Sequence, residues 1–293
     1  MKVFGIIIVD KPVGPTSHKI VTIVRRGTGV RKVGHAGTLD PRASGVLVLC
    51  LGPATRLSEY LSTSTKRYEG TVRFGAATQT YDAEGPVVLQ TENIPTLKEI
   101  QDKLSVFRGE IEQVPPPYSA IKVRGKKAYE LARAGRETHL EPRVITIHRL
   151  DIIKYRPPDL ELDIECSAGT YIRSLAHDLG DLLSSGAHLA SLRRTRAGPF
   201  TLEDAVPMPK LEVGFLTNKW ERYLLPASSA LPDMPIVSIE EEILERIRFG
   251  HRIPAEPGSS GMAKAIGPNG ELVAILEAIE GDEEWQPRKV FQG

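Results

Sequence analysis

The chain has 293 residues, 41% hydrophobic and 26% charged, enough apolar chain for one large domain plus a small one and too much for a disordered protein. No apolar run approaches the ~20 residues of a membrane span, and MKVFGIIIVD runs from a short apolar core straight into charge, unlike a signal peptide. The net charge of +1 hides an asymmetry: residues 1–75 carry twelve Lys and Arg against four Asp and Glu, residues 76–231 twenty against twenty-one, and residues 232–293 six against twelve. A basic N-terminal quarter suits a polyanionic partner held through counterion release, or else is a solvated face.

In chain order, FGIIIVD (4–10) predicts a buried strand running into the Pro/Gly loop DKPVGPTS. Thr16 or Ser17 can cap a helix with Ile20, Ile23 and Val24 on one face, ended at Gly27. VLVLCL (46–51) predicts a second buried strand, and KRYEGTVRFG (66–75) alternates as a half-covered one with Tyr68, Gly70, Val72 and Phe74 on one side. Leu97, Ile100, Leu104 and Phe107 fall at helical spacing, and a short helix ended by Gly135 follows the VPPPY loop. Strands at 144–153 and 160–166 precede a helix with Ile172, Leu175, Leu179, Leu182 and Leu183 facing inward. Cys50 and Cys166 lie in apolar or alternating runs and read as reduced, buried residues of a cytoplasmic protein. PASSALPDMP (226–235) reads as a linker, followed by a short helix and two strands joined through Asn269-Gly270. The expected fold is α+β, a mixed, largely antiparallel sheet with inserted helices over residues 1–230 and a small β-rich domain over 231–293.

The nucleotide-cofactor, P-loop, zinc and Ser-His-Asp signatures are all missing. What remains is an acid in a small-sided loop, GHAGTLDPRASG (34–45), with DKPVGPTS and AGTYIRS as candidate neighbours. Gly37, Thr38 and Gly45 would let the backbone approach a ligand, and a fixed guanidinium such as Arg173 would hold Asp40 as an oriented carboxylate, ready as nucleophile or base. Tyr68 offers a flat face for a base and a hydroxyl for proton transfer. Each has a plainer reading. Asp before Pro is commonly a turn residue, Tyr on an alternating strand is commonly core, Arg near a helix start is commonly in a structural ion pair, and His35 is commonly a satisfied hydrogen-bonder.

Taken together, DKPVGPTSHKIVTIVRR, KVGHAGTLDPRASGVLVLCLGPATRL, KRYEGTVRFG with TQTYDAEG, QVPPPYSAIKVRGKKAYELARAG, SAGTYIRSLAHDLG and HLASLRRTRAGPF resemble, in order, the blocks of the TruB-type pseudouridine synthases, which isomerise uridine 55 in the T-loop of tRNA. The tail, ending in QPRKVF, is similar to the small PUA-like RNA-binding domain of bacterial members. The resemblance implies Asp40 as catalytic acid, Tyr68 packed on the target base, and Arg173 paired with Asp40. It implies that His35 enters the RNA loop as the uridine is extruded, and that Lys11, Pro12 and Tyr171 line the pocket; Thr38, Leu39 and Leu192 are placed there with them. It further implies a monomer acting on the tRNA T-stem-loop with no metal, cofactor, membrane or obligate protein partner. The alternatives are a guide-RNA-dependent synthase subunit, which DKPVGPTSH and KVGHAGTLDP also resemble, and a tRNA chaperone whose binding role dominates.

Overall fold

The computed structural model describes residues 3–291 apart from residues 120, 124 and 135–139, so the helix end expected at Gly135 lies outside the described residues. Ile6 to Val9 of β1 (Gly5–Lys11) and Val46 to Leu51 of β2 (Ala43–Leu51) are each at most 1% exposed. Both strands are covered on two faces, which is why they read as continuous apolar runs. They pair antiparallel from Gly5 opposite Leu51 to Lys11 opposite Gly45. Between them runs α1 (Ser17–Thr28), capped by the Thr16 side chain and ended by Gly29 at φ 70°. The end expected at Gly27 comes two residues early. Gly27 stays helical and leaves room for the Phe215 ring, which a Cβ there would meet at 2.3 Å.

β3 (Lys66–Phe74) buries Gly70, Val72 and Phe74 and exposes Glu69 and Arg73, as its alternation predicts. In α2 (Leu97–Leu104), opened by a Thr96–Glu99 capping box, Ile100 and Leu104 are buried but Leu97 is 41% exposed. Leu97 lies in the first turn, outside the core that takes the two later residues. After β4 (Gly109–Gln113) come the long hairpin of β5 (Arg143–Arg156) and β6 (Asp159–Cys166), then α3 (Ile172–Leu182). Ile172, Leu175 and Leu179 of α3 are buried as expected; Leu182, in its last turn, is exposed.

A strand that apolarity alone does not reveal, β7 (Ala187–Ala197), occupies the middle of the main sheet. The order is Val206–Pro207, β1, β2, β7, β3, β6, β5, β4. All neighbours on this path are antiparallel except β1 with Val206–Pro207 and β2 with β7. The architecture is therefore the expected α+β type with a mixed, largely antiparallel sheet. One sheet face carries α1 and α4 (Met208–Leu216) over β1 and β2, and α2 and α3 over β3, β5 and β6. Tyr68 and Leu192 touch both cores, so the boundary between them runs along β3 and β7.

On the other face of β1 and β2, Ile6, Ile8, Val46 and Val48 pack with Ala227, Ala230, Leu231, Leu272, Ile275 and Phe291. PASSALPDMP is thus no loose linker, because its small apolar residues fill this core. The second sheet is five-stranded: Ile236–Ser238, β8 (Met262–Ile266), β9 (Leu272–Ala278), β10 (Glu284–Val290) and Ile253–Pro254, with α5 (Glu241–Arg248) beside it. Among the described residues no helix is long and apolar enough to cross a membrane.

Candidate active site

The loop carrying Asp40 is fixed through its backbone. Ser17, buried at the start of α1, accepts from Leu39 N–H and donates to Leu39 C=O, each at 2.9 Å. Lys11, fully buried at the end of β1, donates through Nζ to the carbonyls of Ala43 at 2.6 Å, Pro12 at 2.9 Å and Pro41 at 3.4 Å. Gly14 N–H adds a bond to Pro41 C=O at 2.8 Å, and Ala43 N–H one to Asp40 C=O at 3.0 Å. From β7, Arg194, 1% exposed, donates to the carbonyls of Val46 at 2.7 Å, Gly37 at 3.1 Å and Thr38 at 3.4 Å. Every carbonyl from Gly37 to Pro41 is therefore engaged by the protein itself. Gly45, at φ 98°, is required here for packing, not for a ligand: a Cβ would lie 2.1 Å from the Arg194 carbonyl oxygen.

Arg173 arrives from the first turn of α3. The start of that helix is pinned by Gln113, which accepts from Tyr171 N–H at 2.8 Å and donates to Tyr171 C=O at 3.0 Å, and by Ser174 Oγ donating to Val114 C=O at 2.8 Å. Arg173 Nε then lies 2.9 Å from Asp40 Oδ2, and Nη1 lies 3.7 Å from Asp82 Oδ2. Its remaining donors reach the carbonyls of Tyr118 at 3.2 Å and Thr80 at 3.3 Å. The guanidinium side chain is 8% exposed and Asp82 12%, while Asp40 is 43% exposed. One buried fork thus holds two carboxylates, and only Asp40 is open to a visitor. Asp82 is itself fixed by Thr80 Oγ1 at 2.5 Å and Glu84 N–H at 3.0 Å.

Thr38, Leu39, Asp40, Tyr68, Tyr171, Arg173 and Leu192 line a single cleft of about 730 Å³, a volume suited to a small organic group such as a nucleotide. Three other expected residues do not line it. Lys11 is sealed beneath the loop with its ammonium spent on carbonyls, so it braces the site from behind; Pro12 is exposed outside the cleft. His35 sits half-buried on the short strand Val33–His35, its Nδ1 without a hydrogen-bond partner. Burial, then the charges of Arg194 and His18, lowers the His35 pKa and favours the neutral ring.

Asp82, Lys66 and Arg194 also line the cleft, though none stood out from the sequence. Each looked like an ordinary strand or turn residue; only the position of KRYEGTVRFG, TQTYDAEG and HLASLRRTRAGPF among the quoted blocks pointed to them. Burial lowers Lys66 to about 8, with Arg194 adding to the effect, and its ammonium is taken up by the carbonyls of Leu61, Ser62 and Ser64. Burial raises the Tyr68 phenol, and the charge and hydrogen bond of Arg194 only partly oppose it, so the hydroxyl keeps its proton at neutral pH. Such a cleft offers an oriented carboxylate, a protonated phenol on an aromatic face, and buried positive charge beneath both. Among the described residues no group of His, Cys, Asp and Glu is arranged to hold a metal.

Residues 25–172 match the TruB family pseudouridylate synthase N-terminal domain, and residues 173–232 match the tRNA pseudouridylate synthase B C-terminal domain. A relative from Symbiobacterium thermophilum named tRNA pseudouridine synthase B is 47% identical over 253 residues, covering 85% of this chain and 83% of the relative. The protein of that name from Thermobifida fusca is 42% identical over 300 residues, covering 99% of each chain. Among solved structures, a chain of an H/ACA RNP bound to a substrate RNA containing 2'-deoxyuridine matches with a TM-score of 0.75 at 25% identity, over 99% of this chain and 86% of that one. A chain of a Cbf5-Nop10-Gar1 complex matches with a TM-score of 0.76 at 27% identity, over 99% and 85%.

Proposed function

Since the chain belongs to the TruB family of pseudouridylate synthases, we propose that it isomerises the T-loop uridine 55 of tRNA to pseudouridine, with Asp40 as the catalytic carboxylate. The observation that carries this is the 2.9 Å contact from Arg173 Nε to Asp40 Oδ2, which leaves the other face of a half-exposed carboxylate toward a cleft bordered by Tyr68. The uridine must leave its stack, at a cost of a few kcal/mol that stacking on Tyr68 and phosphate contacts offset. His35 is the side chain we assign to the loop the base vacates.

In the reaction the N1–C1′ bond breaks and its electron pair stays with the uracil. The electron-poor sugar carbon faces Asp40, which stabilises it or attacks it; attack at C6 of the base is the alternative chemistry for the same carboxylate. The base turns and C5 joins C1′, any bond that Asp40 had formed to C1′ or C6 breaks with its electron pair returning to the carboxylate, the C5 proton is lost and N1 gains one, so atoms and electrons balance without a redox partner. Tyr68 stacks on the turning ring, and its protonated hydroxyl is the group placed for that proton exchange. Arg173 and Asp82 act as positioning residues that hold Asp40 in one orientation, while Thr38, Leu39, Tyr171 and Leu192 confine the detached base so that recombination outruns its loss.

We assign residues 1–230 to catalysis and 231–293 to RNA binding, and infer that a single chain acts on bare tRNA. Relatives 40–47% identical over most of the chain and named tRNA pseudouridine synthase B support this over a guide-RNA-dependent role. The test is the assay of pseudouridine in unmodified tRNA with purified wild type and Asp40→Ala. Wild type is expected to convert the T-loop uridine without added RNA or protein, and the variant to make no product while still binding tRNA. Equal product from both would remove Asp40 from catalysis, and bare tRNA left unconverted until a guide RNA is supplied would favour the guide-dependent reading.

A further inference from the structure

A strongly positive surface lies beside the cleft, apart from the residues assigned to the reaction. Between Asp10 and Asp40 the sequence has no Asp or Glu, and this stretch folds into α1 and the turn after it. Lys19, Arg25, Arg26, Arg31 and Lys32 are all exposed there. α4 lies against α1 through Phe215 and Gly27, and it and the chain after it add Lys210, Lys219 and Arg222, also exposed, against only Glu212 and Glu221. Among the described residues none of these eight cations has a carboxylate within ion-pair distance, whereas Arg67, Arg73, Arg193 and Arg196 are each paired with one. Arg25 and Arg26 gain some support from the C-terminal end of α1. Lys210 and Arg222 lie over the Tyr223 ring; the rest is like charge without an ion-pair partner, which costs the folded chain stability and is relieved by an anionic partner.

Position indicates which anion. Ser17, the first residue of α1, is bonded to Leu39 of the cleft, and at a rise of about 1.5 Å per residue Arg26 lies roughly 14 Å farther along. The cleft and both helices share one face of the sheet, because Tyr68 packs against the α1–α4 core. The other flank is unfavourable: α3 carries Asp178 and Asp181, and α2 alternates Lys98, Glu99, Asp102 and Lys103. The second sheet belongs to a stretch with twice as many acids as bases. We infer that the α1–α4 face is the docking surface for the phosphates of the RNA helix adjoining the target loop, and that it, rather than the C-terminal domain, supplies most of the electrostatic grip. The inference rests on the proposed RNA substrate, but its test reads binding and needs no turnover.

The variant is Arg25→Gln/Arg26→Gln/Lys32→Gln, with Lys98→Gln/Lys103→Gln on α2 as the surface-charge control. Binding of full-length unmodified tRNA is measured across a salt series. Each phosphate contact contributes about 0.7–0.9 to the slope of log affinity against log salt, so the triple variant is expected to flatten the slope by about two. Its Kd at low salt should rise at least fivefold, with the control inside twofold. An unchanged slope, or equal flattening by the control, overturns the inference. So does a triple variant that binds tRNA like wild type yet loses affinity for phosphatidylglycerol vesicles, since the surface would then face lipid. If wild type binds tRNA with a steep slope but forms no pseudouridine, the functional proposal fails while this one stands.

Discussion

Arg173→Met tests whether the buried fork is what organises the site. Arg173 is 6% exposed and serves Asp40, Asp82 and two carbonyls, so its loss strands Asp82 in a nearly closed position. Removing one partner of a buried ion pair costs about 3–5 kcal/mol. Because Asp40 is 43% exposed and regains water, the lower end, about 3 kcal/mol, is expected. Adding Asp82→Asn removes the stranded charge and is expected to restore roughly 1–2 kcal/mol of that loss. The rate behaves differently. Asp40 lacks its fixed partner in both variants, and a misplacement near 1 Å costs about 10²-fold, so the single and double variants both run roughly 100-fold or more below wild type. Urea unfolding reads the first quantity and single-turnover isomerisation of tRNA the second. A double variant no more stable than Arg173→Met would show that Asp82 is not held by this charge. Recovery of rate along with stability would show that Arg173 acts through folding alone.

Ser17→Ala leaves the buried Leu39 N–H without its acceptor and is expected to cost about 1–3 kcal/mol, measured by urea unfolding, with a slower single-turnover rate because the Asp40 loop loosens. Gly45→Ala combines φ 98° with a Cβ placed 2.1 Å from the Arg194 carbonyl, and the same measurement is expected to show a loss of about 3 kcal/mol or more. Burial lowers Lys66 from 10.5 to about 8, so between those values the unfolded chain holds a proton that the folded one has released. The destabilisation is therefore fully present below about pH 8 and relieved as pH rises to about 10.5; in Lys66→Met the pH dependence of unfolding free energy across that window is expected to fall by about one proton. Burial also pushes the Cys50 thiol up to about 12 and Cys166 to about 11, so a thiol reagent at neutral pH is expected to label neither until the protein unfolds.

What was legible in the sequence were the features whose cause is local. β1 and β2 announce themselves because both faces are buried, and β3 because one is. The cap of α1 is written in Thr16, but its end is not: Gly27 looks like a stop and is instead a space filled by Phe215, far along the chain. β7 was invisible for a related reason. Its run of arginines argues against a central strand, yet Arg193 meets Asp10, Arg194 meets three backbone carbonyls and Arg196 meets Glu165. A polar strand can sit in the middle of a sheet when each charge has a partner, and partners distant in sequence leave no periodic trace. Asp82 went unseen in the same way, since nothing near TQTYDAEG shows that it shares a guanidinium with Asp40.

Read alone, Gly37 and Gly45 look like room for a ligand; Gly37, at φ 108°, does line the cleft, whereas Gly45 faces the Arg194 carbonyl and is required for packing. Gly45 admits β7, and β7 in turn brings the guanidinium that takes the carbonyls of Gly37 and Thr38. With Ser17 and Lys11 closing the same loop from the other side, each carbonyl between Gly37 and Pro41 already has a donor from the protein itself. The loop presents the Asp40 carboxylate and the Thr38 and Arg42 side chains to the cleft, and its bracing is what lets Arg173 aim that carboxylate from across it. A site built this way tolerates little backbone adjustment, so adaptation to an extruded nucleotide must come from side chains on the facing wall, Tyr118 and Tyr171 among them, and not from the loop that carries the acid.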